Sequence, residues 1–202
     1  MRRIPYTASA ATLLLIAAIA GSAEAQQVKR VRGTIAAVSA DTLTVHTADG
    51  ADQVVKLAPD VRIASDKALT LADIKAGDYI GTAANKGADG RLVAIEVTVF
   101  PGAMRGAGEG QRPWDLGPNS SMTNANVDQI VTATSGRTLK LSYKGGVAEV
   151  DVPTDAPIVT PVPGDRSLFV PGMAVVAFMR QGTDGTPTAA YVTVEKDGVK
   201  PP

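Results

Sequence analysis

A chain with one histidine and no cysteine has few ways to hold a transition metal or to arm a nucleophile. Such sites draw on His and Cys at fixed spacing. His46 stands between Val45 and Thr47 on the solvent side of an alternating stretch and reads as an ordinary surface residue. Met104, Met122, Met173 and Met179 are scattered, which suits packing better than copper. The turns Ala88-Asp89-Gly90 and Thr183-Asp184-Gly185 lack the carboxylates at alternate positions that calcium needs. Gly106-Ala107-Gly108-Glu109-Gly110 has no following Lys-Ser/Thr pair, and Glu109 would repel a phosphate. No Gly-x-Ser-x-Gly element is present, and any Ser–His system would depend on His46 alone. Asp and Glu are plentiful, but spacing singles out no pair. The expectation is therefore a protein with no catalytic residues, no metal site and no cofactor.

Recognition chemistry is concentrated in one stretch. Residues Pro101 to Ala125 hold five glycines, three prolines and the only tryptophan. Within it, Arg105, Glu109, Arg112, Trp114 and Asp115 are the candidate ligand or partner contacts. An indole flanked by arginines and acids can anchor an interface, and it can equally dock on its own protein and pin the loop. Both readings stand at this point. A structureless connection of this length usually means function or a linker.

The elements around this stretch repeat about 95 residues apart. Gly77 and Gly172 each end a hydrophobic approach. Gly87–Gly90 and Gly182–Gly185 each make a turn, and Val97-Thr98-Val99 and Val192-Thr193-Val194 each follow as a strand. In the first copy, Val31, Ile35 and Val38 open a strand, and Leu43 and Val45 alternate with threonines in the next. Asp49-Gly50 turns the chain into Val54–Leu57, which Pro59-Asp60 ends. Thr70-Leu71-Ala72-Asp73 resembles a capping box for a short helical turn. Tyr79–Ala83 and Arg91–Phe100 complete the copy. In the second copy, Ile130-Val131, Leu139 with Leu141, and Val147–Val152 form the first three strands. Pro153, Pro157, Pro161 and Pro163 replace the helix, and Met173–Arg180 and Ala189–Val194 follow.

Three strands, a short helix and two strands is an OB-like order. The predicted fold is all-β: two tandem five-stranded OB-like barrels, with an SH3-like barrel as rival, joined by a long Gly/Pro-rich loop. The boundaries are 26–100 and 126–196 for the barrels, 101–125 for the loop and 197–202 for a loose tail.

Residues 1–25 read as a signal peptide. Arg2 and Arg3 precede an apolar run from about Ala8 to Ala20, and Ala23-Glu24-Ala25 has the small-x-small pattern of a cleavage site. Cleavage removes two arginines and one glutamate and leaves a net charge of about −1. That balance gives no case for nucleic acid or an anionic membrane. The expected location is the periplasm or the extracellular space, with no membrane insertion after cleavage.

Gly33-Thr34-Ile35, Asp41-Thr42-Leu43-Thr44-Val45, Asp73-Ile74-Lys75-Ala76-Gly77-Asp78 and Asp89-Gly90 together resemble a domain-of-unknown-function family of small exported bacterial β-domains, often OB-like and often in tandem. The loop string with Met104-Arg105-Gly106, Gly108-Glu109-Gly110, Pro113-Trp114-Asp115 and Met122-Thr123-Asn124-Ala125 resembles exported proteins that carry a metal ABC transport permease name. A permease needs several membrane spans, and no second apolar stretch follows the leader. The resemblance implies fold and compartment. The functional expectation is a non-enzymatic exported binding or interaction module for a periplasmic protein, peptide or glycan. The alternative is an exported accessory to metal or solute transport that binds an ion.

Overall fold

The computed structural model describes residues 29–202 apart from 88, 134–135 and 183–184. The leader expected at 1–25 lies outside the described residues, as do Ser135 and Thr183-Asp184 of the expected turns. The described chain is all-β, with twelve strands in chain order. The first three are β1 (Arg30–Val38), β2 (Thr42–Thr47) and β3 (Asp52–Leu69). Next come β4 (Tyr79–Lys86), β5 (Leu92–Val99) and β6 (Gly110–Pro113). β7 (Ser120–Ala133), β8 (Gly136–Tyr143) and β9 (Gly146–Pro153) follow. β10 (Ile158–Pro163), β11 (Ala174–Gln181) and β12 (Pro187–Val194) complete the set.

The strands do not pair by copy. β1, β2 and β3 form a meander, but β11 and β12 close it: β11 runs antiparallel beside β1, and β12 runs parallel to β3. This is a closed five-stranded barrel. Its interior holds Val31, Ile35, Leu43, Val45, Val55, Leu57, Val175, Val192 and Val194. The complementary ring takes β7, β8 and β9 with β4 and β5, and its parallel closure joins Leu92 to Val150 and Val93 to Asp151. Ile80, Val97, Val127, Leu139, Leu141, Val150 and Val152 fill it. The expected boundaries 26–100 and 126–196 therefore do not enclose these two cores. Each three-strand meander is completed by the last hairpin of the other copy.

Local geometry accounts for the exchange. β3 does not end at Pro59-Asp60. Its pairing with β12 jumps from Leu57 to Arg62, so these residues sit in an irregularity that bends the strand and lets it continue to Leu69. The capping box then forms as expected: the Asp73 carboxylate accepts from the Thr70 N–H at 2.8 Å and from its hydroxyl at 2.7 Å. The helix behind it is only a three-residue 3-10 turn, Leu71–Asp73. That extension carries the chain out of the first ring before β4 begins.

The repeat glycines show the same crossover. Gly77 (φ 89°) and Gly172 (φ 93°) are both left-handed. The Gly77 N–H donates to the Val127 carbonyl at 2.7 Å, and Gly172 donates to Ile35 at 2.8 Å. Each glycine thus docks onto the first strand of the meander from the other copy.

The proline-rich segment is not a bend. Ile158–Pro163 forms β10, antiparallel to β3, with Pro161 opposite Asp66 and Pro163 opposite Ala64. The next residue, Gly164, donates its N–H to the Ile63 carbonyl. Bonding positions on an antiparallel strand alternate, so Pro161 and Pro163 occupy the positions whose missing N–H costs the ladder nothing. Through Ile158 and Val159, β10 also pairs with β5 and joins the two rings into one sheet.

The expected loop 101–125 is largely structured: β6 pairs with the start of β7, from Gly110–Asn124 to Pro113–Ser121. The expected loose tail is tied as well. Lys196 and Val199 bridge, and Arg32 Nε donates to the Pro202 carbonyl at 2.7 Å.

Two outcomes follow from the exchange. A fragment of residues 29–100 lacks the hairpin that closes its meander, so it will show no cooperative unfolding by circular dichroism, while the full chain will. Gly77→Ala and Gly172→Ala each force a side chain into the left-handed region and will cost about 1–2 kcal/mol in urea unfolding.

Candidate functional site

Residues in register on neighbouring strands project from the same face. Following that rule across the sheet gives one row of Arg32, Val176, Thr193, Ala64 and Pro163. A second row is Arg30, Phe178, Tyr191 and Arg62. Asp66 with Pro161, Val159 with Thr98, and Glu96 with Ala83 continue the same face into the complementary ring. This is the outer face of both rings, yet Val176, Thr193, Ala64, Asp66, Val159, Glu96 and Ala83 are all buried. The rings cover each other here, and the seam between them forms a third interior with a polar lining.

The candidate contacts on the connection close this seam. Trp114 follows β6, and the Arg30 guanidinium lies 3.6 Å from the centre of its ring. Arg112 approaches the same ring at 5.4 Å, and Arg30 also stands 5.4 Å from Phe178. Asp115 pairs with Arg32 at 2.5 Å and with Arg30 at 3.4 Å. The backbone is pinned by Ser120, whose carbonyl accepts from the Trp114 N–H and whose hydroxyl donates to the Trp114 carbonyl, both at 2.9 Å. Of the two readings open for Trp114, the observed contact is with its own chain: the indole stacks on Arg30 of β1, which in turn reaches Phe178 of β11. Its Nε1 is buried with no hydrogen-bond partner among the described residues.

The other candidates are also tied inward. Arg105 donates to Asn126 Oδ1 and to the Gly77 carbonyl, both at 2.6 Å. Glu109 accepts from the Lys144 N–H at 2.8 Å, and Arg112 donates to the Gly108 carbonyl at 2.8 Å. Burial lowers the affinity of Arg30 and Arg112 for their protons. Burial alone would raise Asp115, but the Arg32 hydrogen bond and the Arg32 and Arg30 charges outweigh it and hold the carboxyl below its ordinary value.

Two carboxylates that spacing did not single out lie deep in the seam. Asp66 on β3 is 9 % exposed and Glu96 on β5 is 6 % exposed. Burial pushes Asp66 up to about 6. Burial, then the charge of Asp66, pushes Glu96 up to about 7, against a hydrogen bond from Thr98 and the charge of Arg32. Tyr191 is raised, first by burial and then by Asp66, against its hydrogen bond with Thr193. The one available signal was Glu96 itself, a charge inside the apolar run Ile95–Val99. Period-2 reading puts it on a solvent face, and only the second ring removes the solvent.

Two open clefts lie at the ends of the rings. One, about 750 Å³, is lined by Lys86, Arg91, Arg112, Ser121, Val147 and Glu149 among others. Beside it, β9 pairs along its length with β8 but meets β5 only at Val150 and Asp151. The outer edge of Gly146–Glu149 therefore has no strand neighbour among the described residues. The Ser121 hydroxyl is buried without a partner among them. The other cleft, about 860 Å³, lies in the corresponding place on the first ring, against Lys56, Pro59, Asp60, Arg166, Arg180 and Thr188. There Arg180 pairs with Asp60, as Arg91 pairs with Asp151 at 2.7 Å in the first cleft.

Among the described residues, no three His, Asp or Glu side chains come together to hold a metal ion. His46 is exposed and pairs with Asp52 at 2.7 Å. No helix among the described residues is long and apolar enough to cross a membrane. Comparison with protein-family models, with curated proteins and with solved structures finds no match for this chain.

Trp114→Ala removes the indole from between Arg30 and Arg112 and leaves two half-buried guanidinium groups without it. The expected cost is about 3 kcal/mol in urea unfolding. Unchanged stability would mean that the indole serves recognition instead of docking.

Proposed function

We propose that the chain is an exported, non-enzymatic interaction module built from two OB-like barrels, and that it receives an extended peptide segment in the cleft beside β9. The carrying observation is the outer Gly146–Glu149 edge, which has no strand neighbour among the described residues and whose Val147, Ala148 and Glu149 line a cleft of about 750 Å³. An edge of this kind offers N–H and C=O groups to an added strand, and the flanking side chains set specificity. Lys86, Arg91 and Arg112 line the cleft together with Asp89, Glu149 and Asp151, a mixed lining that suits a peptide of both charges.

The OB-like assignment is supported by the strand order, in which each three-strand meander is closed by a two-strand hairpin. By analogy with that fold, ligands meet the face of the second and third strands and the turn between the fourth and fifth. Here these are β9 and the Gly87–Arg91 turn, both beside the cleft. Among the described residues no aromatic side chain lines either cleft. Stacking on bases depends on aromatic platforms, so a peptide fits better than an oligonucleotide. Export rests on the leader-like residues 1–25, and the near-neutral charge agrees with a partner bound by shape and hydrogen bonds.

A photo-crosslinking residue at Val147, which is 78 % exposed, tests the site in cells. It is expected to capture a partner in the periplasmic fraction. The same residue at Val170, 46 % exposed and away from the cleft lining, is expected to capture none. Equal capture at both positions, or none at Val147, would sink the reading.

A further inference from the structure

We propose that the seam between the two rings is a proton-operated clasp: Asp66 and Glu96 keep it shut while they are protonated, and loss of both protons loosens it as far as the Trp114 rim. The two carboxyls share one face of the strands that join the rings. Asp66 lies opposite Pro161, and Glu96 is two residues from Thr98, which lies opposite Val159. In the sheet order β10 stands between β3 and β5. At this crossing it presents a proline, which has no N–H to offer Asp66.

The groups facing the pair cannot neutralise two negative charges. From β1, Arg32 spends its guanidinium on Asp115 and on the Pro202 carbonyl. From β3, Arg62 is exposed. From β12 come Tyr191 and Thr193, whose side chains bond each other. From β5, the Thr98 hydroxyl lies 3.3 Å from Glu96 Oε1, a weak contact. β10 and β4 contribute Val159, Pro161 and Ala83, none of them titratable. Among the described residues no ion pair reaches either carboxyl. A charged pair in this setting carries an uncompensated desolvation cost, whereas a protonated pair does not.

The direction of the pH effect follows. Both groups bind protons more tightly in the folded chain than in the unfolded one. Their contribution is complete below about pH 3, under the ordinary carboxyl values, and is lost as the pH rises through about 6 and about 7. Loss of the second proton adds repulsion between the two carboxylates.

Trp114, the only tryptophan of the chain, reports the rim directly. The experiment follows acrylamide quenching of its fluorescence and the thermal midpoint from pH 4.5 to 8.5, in a His46→Gln background so that the sole imidazole contributes nothing. The expected result is increased quenching and a fall in Tm of roughly 10 °C across this range. Asp66→Asn/Glu96→Gln is expected to flatten both profiles. Asp66→Asn alone is expected to move the remaining transition to lower pH, because Glu96 loses the repulsion that raises it. A purely structural role for Asp66 would not produce that shift, and the single variant decides the matter if the double one fails to fold. The proposal is overturned if the parent profile is flat or if Asp66→Asn leaves the midpoint in place. It is also overturned if added calcium or magnesium restores the closed state at pH 8, which would assign the charge balance to a cation.

Discussion

Parallel closure of β3 against β12 is the constraint on which the rest of this molecule depends. It joins Leu57 to Ala189 and Ala64 to Thr193, residues separated by most of the described chain. Once that contact forms, the first ring belongs to both copies of the repeat. The complementary ring must then take β4 and β5, the hairpin left over. Closing such distant strands costs loop entropy that grows only slowly with length, so burial of the Val, Leu and Ile side chains can offset it. The rings are consequently interlocked. Neither interior forms without segments from both sides of the connection 101–125.

The interlock explains why the outer faces are buried. Two barrels on a flexible tether would each keep a solvated outer face. Here β10 joins the closed barrel to the complementary strands, and the side chains that alternate outward meet a second protein surface. Arg30 and Arg32 answer this by pairing with Asp115 and stacking on Trp114 at the rim. Asp66 and Glu96, deeper in, find no cation. Burial strips water from their charged forms, and that desolvation is the first cause of their raised proton affinity.

Much of the local structure was legible in the residues. The alternation of Leu43 and Val45 with threonines, the Asp49-Gly50 turn, the Thr70–Asp73 box and the paired glycines at 77 and 172 all lie where local rules place them. Such features depend on neighbours a few positions away. Pro59 reads as a strand end and Pro161 as part of a segment closed to helix, and both lie within strands. A proline is tolerated where its missing N–H faces no partner, and which side faces a partner is a property of the sheet. The stretch 101–125 was read as a loop because β6 is only four residues long and pairs out to β7. Of the candidate contacts, Arg112 and Asp115 lie with Trp114, whereas Arg105 and Glu109 are tied elsewhere and Arg30, which stacks on the indole, carries no local signal. Residue type left open whether they bind another molecule or hold the rings together.

By itself, the sequence determined the class of structure: an all-β chain with tight glycine turns and aliphatic interiors. It did so because period-2 patterning and turn chemistry are short-range. Tertiary structure alone decided which hairpin closes which meander. The two copies present equivalent edges, so pattern cannot rank the two pairings, and the extension of β3 and the path of β10 select one. That choice in turn places Asp66 and Glu96 out of water. A carboxylate on an alternating strand looks the same in sequence whether its face meets solvent or another barrel, and only the packed structure distinguishes the two.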